Sequence, residues 1–557
     1  MAPGRHMQGL SAKQWKAVFF AACIAASGAC GSSSVSRGIA RTEEVYADTV
    51  DAAAALETIG SGLTSRYGGH DRHAWEQIYR QRRDELVSLL AKLPHEGLPR
   101  SDARAVAVMR RRIESLPASP EHAENSMKPA GRCEDAQRRD LSYGALRDAL
   151  YGCFDVIGSA IEFEGGQMTR GSALDMLARV EQPGRRKNLF LAIAPLWRAV
   201  NGNNRLDSPY RRLISMSAIE AAKRGSPVDA AGAAAGASSV QVEGWLEEIL
   251  EMWRQVSGNR AVEPWDYWYA GSEADRVLRA LIPRESLRPL SERYYRDLGA
   301  DLDRLGVLYD LDPHPGKAPL AYTDFASVGR LVHGEWRPTV PRVSAGYAQG
   351  SLAGLNELIH EEGHAVHYAA LRTRPAFMDV DELFTEAFAD VTSWNTYEPR
   401  WQRKYLGREA PESASLRSRY TGVVLDAAWS LFEIRMLRNP AADPNALWTE
   451  ITSRYLRIAP HPEWSWWALR VQLVESPGYM INYGLGAVLT ADMRQCIRES
   501  LGPFETGDAR WYGWVTERLL RYGMERETAP LLREFLGRSV TPEALLRDMR
   551  RLGDPRS

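Results

Sequence analysis

The chain has 557 residues, and its 70 Lys plus Arg against 71 Asp plus Glu leave a formal net charge of −1. That balance gives no electrostatic case for a nucleic-acid partner. With 44% hydrophobic and 25% charged residues, the composition excludes a disordered or bilayer-embedded chain and suits a soluble enzyme large enough for two lobes.

At the N-terminus, Arg5, Lys13 and Lys16 precede the apolar run 17–26, which ends in Ser27-Gly28-Ala29-Cys30-Gly31-Ser32. A run this short reads as an export signal and not as a spanning helix. Small residues before Cys30 and a Gly/Ser tether after it predict a lipoprotein signal over 1–29, with Cys30 lipidated; cleavage by an ordinary signal peptidase is the alternative. The expected location is the periplasm of a bacterial envelope, with membrane contact only through that anchor. Residues 30–240 read as an N-terminal helical region, and apolar periodicity predicts helices over His73–Leu93, Ser101–Leu116 and Tyr143–Phe163. The Ala/Gly-rich stretch at 225–239 predicts a flexible surface insertion. Residues 241–557 form the predicted catalytic region, with further helices over Leu287–Leu305 and Thr528–Leu536. Of five cysteines, Cys23 and Cys30 fall in the signal. An oxidising compartment permits a Cys133–Cys153 disulfide, with Cys496 a buried free thiol.

The chemistry concentrates after residue 350. Leu352, Leu355, Leu358 and Ile359 have helical spacing, and the same helix carries His360-Glu361-Glu362-Gly363-His364. His360 and His364, one turn apart, place two imidazoles on one face where a single zinc ion can bridge them, and Glu361 is set to meet the metal-bound water. After a break at Pro375, Glu382, Glu386 and Asp390 repeat at four-residue intervals on a second helix, an acidic face that predicts the third ligand. A further histidine six residues past His364 would indicate a metzincin; that position is Ala370. Glu386 is the assigned ligand, with Glu382 the alternative.

Phe384-Thr385-Glu386-Ala387-Phe388-Ala389-Asp390-Val391 resembles the corresponding segment of angiotensin-converting enzymes, and His360 to His367 resembles the HExGHxxH of thimet oligopeptidase and oligoendopeptidase F. The blocks Glu263–Tyr269 and His314–Tyr322 are similar to oligoendopeptidase blocks, and Ser476–Gly486 lies where that clan carries its tyrosines. The resemblance covers about 240–500 and implies a mainly α, two-lobed zinc peptidase with a deep central cleft and a small β element beside the zinc helix. It implies Asp390 as the partner that orients a ligand histidine. It also implies a tyrosine near the oxyanion, either Tyr483 or Tyr479. His367 is expected to pack and not to ligate. The clan histidine ahead of the tyrosines is absent, leaving Arg470 or Gln472 to serve. Clan members bind peptide along an edge strand ahead of the zinc helix; Val340 to Tyr347 is the candidate, with Ser344, Ala345 and Gly346 facing substrate, and an ordinary loop is the other reading.

The expected activity is zinc-dependent hydrolysis of oligopeptides, of oligoendopeptidase or dipeptidyl carboxypeptidase type, with Glu361 activating the zinc-bound water. Two alternatives remain open at this stage. One is a catalytically silent peptide-binding envelope lipoprotein; the other is an amidase acting on peptidoglycan stem peptides.

Overall fold

The computed structural model describes residues 12–62, 72–94, 96–121, 133–314, 317 and 320–553, with side chains from Val35 onward. The first eleven residues of the predicted signal and the side chain of the predicted lipidation site Cys30 lie outside those descriptions. Among the described residues no helix is long and apolar enough to cross a membrane.

The fold is mainly α. Helix α1 (Ala12–Gly60) runs along α2 (Arg72–Lys92) and meets α3 (Arg100–Ser115). Their apolar faces, with Val45, Leu86 and Met109, close a small core against Val328, Leu371, Phe377 and Met378. Acidic groups of this layer pair with arginines of the body: Glu43 with Arg374 at 2.9 Å and Asp48 with Arg330 at 2.8 Å.

Helix α4 (Tyr143–Gly158) starts at Ser142, whose hydroxyl accepts the Ala145 N–H, and the Cys133–Cys153 disulfide staples it to the preceding turn, as expected. Cys496 is free but only half-buried, with its thiol donating to the Phe535 carbonyl at 3.3 Å. The helix is shorter than the predicted Tyr143–Phe163. Ile161–Phe163 (β1) instead pairs antiparallel with Gly166–Met168 (β2) about a tight turn with Glu164 at φ 52°, because Glu-Gly suits a hairpin turn and ends a helix.

After α5 (Pro209–Arg224), the supposed flexible insertion is an ordered helix, α6 (Pro227–Ala235). Ser226 caps it, and Val228, Ala231, Gly232 and Ala235 are buried. The small side chains that read as low complexity let this helix pack closely on its neighbours. Helix α7 (Ser239–Val256) follows from a Ser238/Gln241 capping box. Helix α8 (Leu287–Asp297) stops eight residues before the predicted Leu305, because Gly299 passes so close to the Ala509 carbonyl that the chain must turn there.

The β element consists of β3 (Leu308–Asp310), β4 (Tyr322–Ser327), the hairpin β5 (Arg330–Val332) and β6 (Glu335–Arg337), and β7 (Val340–Ser344). The three-stranded sheet has the order β3-β7-β4, with β7 parallel to β3 and antiparallel to β4. The segment predicted as an edge strand is therefore the centre of the sheet. Ser344 is buried with its hydroxyl donating to Asp310 at 2.9 Å, Ala345 is buried with its N–H on the Asp310 carbonyl at 3.0 Å, and Gly346 is exposed just beyond. The parallel partner lies some thirty residues upstream, and no local pattern announces it.

Among the further helices are α9 (Leu352–Ala370), α10 (Glu382–Ser393), α11 (Glu412–Arg438), α12 (Ile481–Leu501), α13 (Thr528–Leu536, as predicted) and α14 (Glu543–Arg550). One continuous core joins residues from Ala136 to Leu552, so the helices before and after residue 240 share it.

Candidate metal centre

The site forms where α9, α10 and the start of α12 meet. Ser351 caps α9 by accepting the Gly354 N–H at 2.9 Å. Gly363 lies against α10: a Cβ there would sit 2.8 Å from the Ala389 Cα. The glycine thus allows the two helices to approach closely enough for His360, His364 and Glu386 to converge.

Among the described residues these three form a group able to hold a metal, with one atom of each lying within 4.8 Å of the others. The separations are 3.1 Å between the two Nε2 atoms, and 3.3 and 3.9 Å from Glu386 Oε2 to His360 and His364. Three atoms so spaced share a centre about 2.0 Å from each, the bond length zinc takes with nitrogen and oxygen. Among the described residues the buried Glu386 Oε2 has no hydrogen-bond partner, with His360 Nε2 its nearest cationic neighbour at 3.3 Å, an arrangement that fits a metal-binding oxygen. Titration agrees. Burial would raise the Glu386 carboxyl, yet the two histidines outweigh it and hold the group at about 2. Burial would lower His360, yet the Asp390 and Glu386 carboxylates push it well above its usual value. The two carboxylates thus make the position of the His360 ring favourable for positive charge.

The supporting contacts fix which ring nitrogen faces the centre. His360 Nδ1 lies 2.8 Å from Asp390 Oδ1, which also accepts from Ser393, and His364 Nδ1 lies 2.9 Å from Thr385 Oγ1. Asp390 is where the sequence placed it; Thr385, adjacent to Glu386, and Ser393, one turn beyond Ala389, carried no signal beyond that proximity. His367 is buried, 3.3 Å from the same Thr385 hydroxyl and packed edge-on to Phe384. Burial holds its ring neutral, pushed down to about 3.

The two adjacent glutamates diverge. Glu361 faces the site, where Thr323 on β4 donates to its Oε2 at 2.8 Å. Burial pushes this carboxyl up to about 7, against the opposing pull of His360 and Thr323. Glu362 turns into the core, accepting from Ser291 at 2.8 Å and Tyr309 at 2.9 Å, and burial pushes it up to about 8. Thr323 was missed by sequence reasoning, since its partner is 38 residues away. It also shows that β4, paired only with β7, is the edge strand beside Glu361.

Both candidate tyrosines reach the site. The Tyr479 hydroxyl donates to Glu386 Oε1 at 2.8 Å, touching the ligand carboxylate itself. The ring of Tyr483 lies 5.7 Å from that of Tyr479, with the Arg470 guanidinium 4.6 Å over its face and Gln472 Nε2 3.5 Å from its hydroxyl. Arg470 and Gln472, the residues named in place of the missing histidine, thus stand beside Tyr483. Glu382 is not in the metal group. Of the flanking blocks, Tyr267 is buried, with its hydroxyl on the Thr421 carbonyl at 3.0 Å. Lys317 donates to the Asp310 carbonyl at 2.7 Å. Pro315, Gly316, Ala318 and Pro319 of the second block lie outside the described residues.

No family model matches the sequence, and no curated protein matches it. Solved structures do. An M32 carboxypeptidase from Deinococcus radiodurans R1 aligns with a TM-score of 0.55 at 16% identity, covering 92% of this chain and 98% of that one. PZ peptidase A, solved with an inhibitor, aligns with a TM-score of 0.57 at 14% identity over 92% and 96% of the two chains. A putative oligoendopeptidase F aligns with a TM-score of 0.56 at 15% identity over 91% and 95%. The chain has the mainly α fold of these helical peptidases.

Proposed function

We propose that this chain is a zinc metallopeptidase that hydrolyses oligopeptides. The observation that carries the reading is the orphaned Glu386 Oε2 set against two imidazole nitrogens at zinc-binding separations, with Glu361 alongside. A zinc ion held by His360, His364 and Glu386 would supply Lewis acidity, polarising the scissile carbonyl and making a water acidic near neutral pH. The chain's own residues do the rest. Glu361, with a carboxyl that titrates near 7, accepts a proton from the attacking water and returns it to the leaving amine. Thr323 holds Glu361 Oε2 in place. Asp390 and Thr385 orient the ligand imidazoles. A hydroxyl from Tyr483, flanked by Arg470, stabilises negative charge developing on the carbonyl oxygen. A peptide adding its backbone to the outer edge of β4 runs past Glu361.

The site of action in this reading is the cell envelope. The basic, apolar and small-residue N-terminal segment supports export and anchoring at Cys30, and the Cys133–Cys153 disulfide suits an oxidising compartment.

The test is elemental analysis of purified protein together with a mixed oligopeptide library read by mass spectrometry. One zinc per chain and chelator-sensitive cleavage are expected. Zinc without cleavage of any linear peptide would overturn the peptidase assignment, and no bound metal would overturn the site.

A further inference from the structure

Tyr479 lies in a short turn and Tyr483 in the first turn of α12, and the placement of that segment depends on a helix outside the metal group. Between them, Met480 is held by α11 at both ends: Glu433 accepts its N–H at 3.0 Å, and the Ser430 hydroxyl, which also lies 2.8 Å from the Asp426 carbonyl, is 2.5 Å from the Met480 carbonyl, an oxygen that also accepts the Tyr483 N–H at 3.1 Å. The turn has little slack elsewhere. Gly478 is at φ +100°, and a Cβ there would sit 2.6 Å from Pro227 at the start of α6. A Cβ at Gly484 would sit 2.5 Å from the Ser430 hydroxyl.

Glu433 is a costly residue to place there. It is 2% exposed, and its Oε1 has no hydrogen-bond partner. Burial pushes its carboxyl up to about 7, relieved only by the N–H groups of Gly478 and Met480. The titratable group that faces it is the Tyr210 hydroxyl of α5, itself buried and without a hydrogen-bond partner. A leucine would fill this space without the penalty of a half-satisfied buried carboxyl. The N–H of Met480, next in the chain to Tyr479, is what the carboxyl holds.

We propose that Glu433 is a positioning residue for the metal centre: through the Met480 N–H it holds the Tyr479 hydroxyl on Glu386 Oε1 and so sets how strongly that carboxylate binds the metal. The inference rests on the metal-site reading above and extends it to a residue that touches neither metal nor substrate. Partners one step outside a metal's ligands typically tune its affinity by about 10–100-fold.

The test is a double-mutant cycle on the zinc dissociation constant, measured by competition with a chelator, alongside hydrogen exchange at the Met480 amide in metal-free protein. Glu433→Ala and Tyr479→Phe should each weaken zinc about 10-fold, and the double variant should be no weaker than either alone. Glu433→Gln, which keeps an acceptor for the N–H, should restore the parental constant to within about threefold. Met480 exchange should quicken in Glu433→Ala and stay parental in Glu433→Gln. If Glu433→Ala does not fold, Ser430→Ala, which removes the other half of the clamp, should show the same non-additivity with Tyr479→Phe. Additive losses, or a parental zinc constant in a folded Glu433→Ala or Ser430→Ala, would overturn the proposal. Failure of the parent to bind zinc would instead overturn the metallopeptidase reading, and the exchange measurement would still show whether Glu433 holds the turn.

Discussion

Glu361→Gln should move activity and stability in opposite directions. The carboxyl is 7% exposed, and its value in the metal-free fold is about 7 against 4.5 for the free side chain. Because the folded value is the higher one, protonated Glu361 contributes stability that is present in full below pH 4.5 and is lost as pH rises through about 7. At about 1.4 kcal/mol per pH unit, that interval amounts to about 3 kcal/mol lost to the parent above pH 7. Glutamine has the shape of the neutral acid and still accepts from Thr323, so the variant avoids the loss. Metal-free Glu361→Gln should therefore resist urea better than the parent by up to about 3 kcal/mol at pH 8, with the difference vanishing near pH 4. Its zinc content should be parental, since every ligand remains. Turnover should fall by about 10²–10⁴, the usual worth of a positioned proton acceptor. Parental turnover, or lower stability than the parent at pH 8, would refute the assignment of Glu361 as a buried, desolvated base.

Three further outcomes are expected. Glu386→Ala should lose stoichiometric zinc on dialysis, because two imidazoles do not complete a site; zinc retained by elemental analysis would transfer the third ligand to Glu382. Tyr483→Phe should lower kcat by about 10²–10³ with little change in KM, whereas Tyr479→Phe, whose hydroxyl sits on Glu386, should act chiefly on zinc affinity; steady-state kinetics and chelator titration separate the two. Glu398 pairs with Arg419, Arg494 and Arg498 at 3.0, 3.2 and 3.1 Å, and these guanidinium groups overcome burial to hold its carboxyl at about 2. Its stabilisation is present above the unfolded value of 4.5 and is lost as pH falls through about 2. Glu398→Gln should cost about 3 kcal/mol at pH 7 by leaving the buried Arg494 guanidinium without its carboxylate, Arg419 keeping Asp548, and urea titrations of parent and variant should converge between pH 4.5 and pH 2.

The metal group was legible because its information is local: His360 and His364 share one helical turn, and Glu386 and Asp390 share another. Helical periodicity likewise placed α2, α3 and α13 to within a residue. What was illegible depends on partners distant in sequence. β7 became a central strand because β3 pairs with it in parallel, which nothing in Val340–Ser344 records. The alanine-rich α6 became buried because the turn bearing Tyr479 packs on Pro227. Thr323 and Glu433 gained their roles from contacts across 38 and 47 residues, and neither belongs to a motif.

Four buried carboxyls around this centre show how environment assigns chemistry to one residue type. Glu361, Glu362 and Glu433 are pushed up to about 7, about 8 and about 7 by burial, while Glu386, a little more exposed, is held at about 2 by its two histidines. The difference is the cationic neighbour. A carboxyl beside imidazoles stays ionised and keeps lone pairs for a metal. One without compensating charge hovers near neutral pH, where it can take and return a proton in the same cycle if it reaches solvent and substrate. Thr323 on β4 donates to Glu361, and that is the side along which the proposed peptide path passes. Glu362, closed in by Ser291 and Tyr309, is pushed by burial toward the neutral acid and ties α9 to α8 and β3. In the proposed mechanism it is therefore environment, set by the turn of α9 between His360 and His364, and not the identity of either glutamate, that selects Glu361 over Glu362 as the base.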